Sequence, residues 1–94
     1  MLKFEQNTII TPNQCRAARE MLEWKQEELA KKSEVAIATI GTFERGDRIP
    51  YPRTLRAIRT TFENAGIEFE NDEKAYGVKL KNLLYPRTSI LSDD

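Results

Sequence analysis

The sequence predicts a mainly α domain of four short helices followed by a C-terminal β-hairpin. Apolar residues recur at helical spacing through residues 12–65, then alternate strictly through the segments between 67 and 81. Proline and glycine fall where helices should begin and end: Pro12 and Pro52 open two segments, and Gly46 and Gly66 close two. A length of 94 residues suits a single domain whose modest core often leans on a partner subunit.

Each element follows from its residues. Thr11 is the expected N-cap of the first helix, Pro12 fills a first-turn position that needs no amide, and Gln14 completes a capping box. Cys15, Ala18, Arg19 and Leu22 then share one face. A second helix is expected over 26–33 with Leu29 and Ala30 inward, then a turn at Ser33-Glu34-Val35. A third helix is expected near 37–45, where Ile37, Ile40 and Glu44 follow the spacing of one face with Phe43 beside them. Gly46 ends it and "GDRIPYP" reads as a loop. The fourth helix starts at Pro52, with a stripe of Leu55, Ile58, Phe62 and Ala65.

"GIEFEN" and "GVKLK" alternate apolar and charged residues. Folded back through "DEKAYG", they place Ile67, Phe69, Val78 and Leu80 on one face and set Glu68 and Glu70 opposite Lys79 and Lys81. A lone hairpin is unstable in water, so its apolar face must cover the helices or a second subunit. The expected organisation is an extension over 1–10, a helical domain over 11–66, a hairpin over 67–81 and a flexible tail over 82–94. Tyr76 and Tyr85 are exposed aromatics available to a dimer surface.

Composition narrows the function. Histidine is absent, Cys15 is alone, and no Gly-rich phosphate loop or nucleophile motif is present. No catalysis, metal or cofactor is expected. The opening "MLKFEQNTII" lacks a basic stretch followed by a long apolar block, and a cytoplasmic protein is expected. Net charge is zero but uneven: residues 12–62 carry ten Lys/Arg against seven Asp/Glu, and 63–94 carry four against seven. A mildly basic front is compatible with nucleic acid on one face, without the strong basic footprint that argues for it unaided.

Residues 16–46 carry the sharper signal. Small Ala30 lets the next helix cross closely, Val35 and Ile40 fill the wedge between two helices, and "FERG" stops the later one. Such spacing sets two helices at a steep angle and leaves the later one protruding, and the major groove admits such a helix. On "CRAARE", "WKQEELA", Val35, Ile40, "FERG" and "PRTLRAI", residues 11–62 resemble the Cro and phage-repressor type of helix-turn-helix domain, the Xre family of bacteria and phages. "AGIEFENDEKAYGVKLK" is similar to a hairpin extension on many short bacterial regulators of this type.

The resemblance implies a sequence-specific regulator, expected to be a repressor, that binds a two-fold site on double-stranded DNA as a homodimer. It implies a structural ion pair between Arg19 and Glu44. Ala36, Ile37, Ala38, Thr39 and Thr42 would face base edges; Lys25, Gln26, Arg48, Arg53 and Arg56 would touch phosphate. The sequence departs from the family at three places. Glu34 stands where glycine is usual, Ala36 where a Ser/Thr cap is usual, and the third helix lacks a side chain that could pair twice with guanine or adenine. These departures keep a second expectation open: an adaptor of the antitoxin or anti-repressor type that binds a protein partner on the same fold.

Overall fold

Thr11 starts the first helix by the expected reciprocal cap: its Oγ1 accepts from the Gln14 amide at 3.1 Å while Gln14 Oε1 accepts from the Thr11 amide at 2.9 Å. The computed structural model describes residues 9–71 and 76–81. Among these, the chain runs α1 (Pro12–Met21), α2 (Gln26–Ser33), α3 (Ile37–Glu44), α4 (Pro52–Asn64), β1 (Ile67–Asn71) and β2 (Tyr76–Leu80). The fold is thus four helices followed by an antiparallel hairpin, as the spacing predicts. No helix of the described residues is long and apolar enough to cross a membrane. The expected tail and Tyr85 lie outside the described residues.

One apolar core joins these elements. Cys15 and Ala18 from α1, Leu29 from α2, Ile40 and Phe43 from α3, and Leu55, Ile58 and Phe62 from α4 are all buried, with Ile67 and Phe69 from β1. Ile10, just ahead of α1, is buried with them, so the end of the expected N-terminal extension packs as part of the domain. Trp24, between α1 and α2, stacks on Phe62 with ring centroids 5.7 Å apart, and Phe62 meets Phe69 edge-on at 6.0 Å. This aromatic row runs from the α1–α2 connection through α4 to the hairpin.

The hairpin is tied down by polar contacts as well. Gln14 is buried, and its Nε2 donates to Asn71 Oδ1 at 2.9 Å and to the Gly77 carbonyl at 3.0 Å. The strand register differs from the expected pairing. In antiparallel strands the expected facing would set Glu68 opposite Lys81 and Glu70 opposite Lys79; instead Glu68 faces Lys79, Glu70 faces Gly77, and the Lys81 amide donates to the Gly66 carbonyl beyond the ladder. Lys79 reaches diagonally to Glu70 at 2.8 Å. A shift of two residues keeps every side chain on its predicted face, so the alternation could not choose between the registers.

Two turns are closed by left-handed residues that are not glycine. Glu34 has φ 62°, ψ 30° at the end of α2, and Glu23 has φ 60° after α1. A β-carbon in that region costs about 1–2 kcal/mol, and Glu34 also puts negative charge at the negative end of the α2 dipole. Glu34→Gly removes both penalties against a glycine entropy cost of about 0.5–1 kcal/mol. We expect a net gain of up to about 1 kcal/mol, read as a higher urea midpoint at unchanged slope.

Candidate nucleic-acid interface

The face that carries the expected contacts is built on a buried anchor. Glu44, at the end of α3, is 2% exposed. Its Oε2 accepts from Arg19 Nε at 2.9 Å and from the Cys15 thiol at 3.1 Å. Its Oε1 accepts from Arg19 Nη2 at 2.9 Å and from Gln26 Nε2 at 3.0 Å. Arg19 is fixed in turn by the Trp24 carbonyl, which accepts from its Nη1 at 3.0 Å. Arg16 donates to the Glu44 carbonyl and to Asn13 Oδ1, so α1 also satisfies the open end of α3.

These contacts set the protonation states. Burial works against an ionised Glu44, yet the hydrogen bonds from Arg19, Gln26 and Cys15 and the charge of Arg19 together outweigh it, and the carboxyl is held below its usual range. The hydrogen bond to Glu44 raises Arg19 further into the charged form. Burial, then the Glu44 carboxylate, pushes the Cys15 thiol up, so it is a neutral donor rather than a reactive thiolate.

With one side anchored, α3 exposes the other. Ile40, Gly41, Phe43 and Glu44 are buried; Ala36, Ile37 and Ala38 are exposed, and Thr39 and Thr42 are half-buried. Ile37 therefore departs from the apolar stripe in which its spacing placed it. It is 44% exposed because it occupies the first helical position, clear of the neighbours that cover Ile40. Ala36 is the N-cap and supplies no side-chain bond to the helix amides.

The structure gathers some of the expected contact residues and leaves others apart. Ala38, Thr39 and Thr42 line a shallow groove with Asp47, Arg48 and Pro50. Lys25 is exposed as N-cap of α2, its amide donating to Glu28 Oε1 at 2.9 Å. The Gln26 side chain is turned toward Glu44 instead of projecting freely, so it is held in place at the edge of α3. Arg53 and Arg56 are exposed on the first turns of α4, outside that groove.

Arg45 belongs to the same surface and was not anticipated. It is exposed, its Nε donates to Asp47 Oδ2 at 3.0 Å, and its Nη1 lies 3.6 Å from where a β-carbon on Gly41 would stand. Gln26 Oε1 is 3.8 Å from the same point, so Gly41 is a gap flanked by a guanidinium and an amide. The spacing Ala38, Thr42, Arg45 is helical and could have identified it.

No curated protein matches the chain. A helix-turn-helix family model matches residues 16–63, more than half of the sequence, and spans α2, α3 and most of α1 and α4. On that match and on this anchored, outward-facing α3, the chain belongs to the Xre/Cro-like helix-turn-helix family of DNA-binding transcription regulators.

Proposed function

We propose that the chain is a sequence-specific repressor that binds a two-fold operator as a homodimer, with α3 in the major groove of double-stranded DNA. In this reading Ala36, Ile37, Ala38, Thr39 and Thr42 face base edges. Lys25, Gln26, Arg48, Arg53 and Arg56 hold the flanking phosphates, and Arg45 joins them. The supporting observation is the exposed start of α3, flanked in sequence by exposed cations at Lys25 before it and Arg48, Arg53 and Arg56 after it. A helix of eight residues reaches few base pairs, so useful specificity calls for two copies about one helical turn apart on the duplex.

Binding of the full chain to mixed duplex fragments at two salt concentrations tests the reading. Affinity should fall with salt at a log–log slope of about −0.9 per phosphate contact. Arg53→Ala should weaken binding to all sequences alike and reduce the slope by about one contact per subunit. Affinity insensitive to salt, or no binding, would end the DNA reading. One observation favours an adaptor instead: Ile49 and Tyr51, in the loop after α3, are 78% and 82% exposed. Tight association with a protein while every DNA fragment stays unbound would select that reading.

A further inference from the structure

A recognition helix can read only what its donors and acceptors permit. Ala36, Ile37 and Ala38 are exposed and carry no polar side-chain atom. Gly41 has no side chain. Thr42, which lines the groove, donates its hydroxyl proton to the Thr39 carbonyl at 3.1 Å, which leaves Thr42 Oγ1 as an acceptor only. Thr39 keeps a single hydroxyl, which bonds to any base and discriminates weakly. Guanine asks for two donors against O6 and N7, and adenine for a donor and an acceptor side by side; nothing between Ala36 and Thr42 supplies either set.

The C5-methyl group of a pyrimidine asks for neither. It needs an apolar surface, and Ile37 keeps 44% of its surface exposed at the leading end of α3. We infer that α3 selects 5-methylpyrimidine edges: Ile37 and Ala38 cover the methyl group, and Thr42 Oγ1 accepts from the exocyclic amine of a neighbouring adenine or cytosine. This rests on the DNA reading above and names what that surface recognises.

The test starts from duplexes selected by the full chain out of random DNA. Each thymine of the selected site is then replaced by uracil, which deletes the methyl and keeps every hydrogen-bonding group. Affinity should drop about fourfold at each contacted thymine, the worth of one buried methyl group. Ile37→Ala should abolish that drop at one position per half-site. Ile37 lies outside the core, so an unchanged urea midpoint separates this from a folding defect. Replacing the same thymine by 5-methylcytosine distinguishes the two sources of the methyl: retained binding assigns the methyl alone, and lost binding assigns thymine together with its paired adenine. Tight binding to a site where uracil is tolerated at every position overturns the inference and leaves the DNA reading standing. Failure to enrich any sequence overturns both.

Discussion

Glu44→Ala is expected to destabilise the fold by about 3–5 kcal/mol, the range for removing one partner of a buried ion pair. The substitution leaves Arg19 charged and largely buried, and strands the Cys15 thiol and the Gln26 amide, which now donate to the same carboxylate. Against a typical total of about 5–15 kcal/mol, that is a large fraction of what holds a small domain folded. Urea unfolding followed by the single tryptophan, Trp24, reads the loss directly, since its ring is packed on Phe62. A loss below about 1 kcal/mol would mean that the pair behaves as a surface contact. Replacing both partners with apolar residues, Arg19→Met with Glu44→Leu, should recover much of the loss, because no charge is then left alone in the core.

The same carboxyl makes stability depend on acid. Its folded pKa lies below its unfolded one, so its contribution is complete above the ordinary glutamate value of about 4.3 and is lost as pH falls through the lower folded value. Glu44→Gln should flatten this acid limb.

Phe62→Ala is expected to lose about 3–5 kcal/mol through the cavity it leaves. Phe62 is fully buried and sits between Trp24 and Phe69, so the truncation also removes two aromatic contacts worth about 0.5–1.5 kcal/mol each. Phe62→Leu keeps most of the apolar volume and should lose less. The two variants should share the wild-type urea slope if the native state remains whole; a lower slope for Phe62→Ala would instead show the hairpin already detached from the helices.

The helical frame was legible because its signals are local. Thr11 with Gln14, Pro12, Pro52, Gly46 and Gly66 each act within a turn of their own position, and the structure finds every one at a helix boundary. The left-handed residue Glu34 was also foreseeable, from the family position where glycine is usual. Glu23 was not, because a glutamate gives no sign that it will close a turn. The hairpin register needed a turn geometry that alternation does not encode.

The candidate site divides the same way. Which face of α3 is exposed follows from Ile40, Phe43 and Glu44 pointing inward. That Gln26 bends back to Glu44 and lies beside Gly41, and that Arg48 shares a groove with Thr42, depend on how separate elements meet. No local pattern reports such distances.

Gln14 has a consequence beyond capping. A single side chain closes the entry to α1 with its oxygen and grips both hairpin strands with its nitrogen, at Asn71 and Gly77. Peeling the hairpin away would therefore release the side chain that caps a helix 57 residues earlier in the chain. The first helix and the hairpin are therefore expected to open together, and a partner that clamps the strands would stiffen the helix carrying Arg19, and with it the anchor under α3.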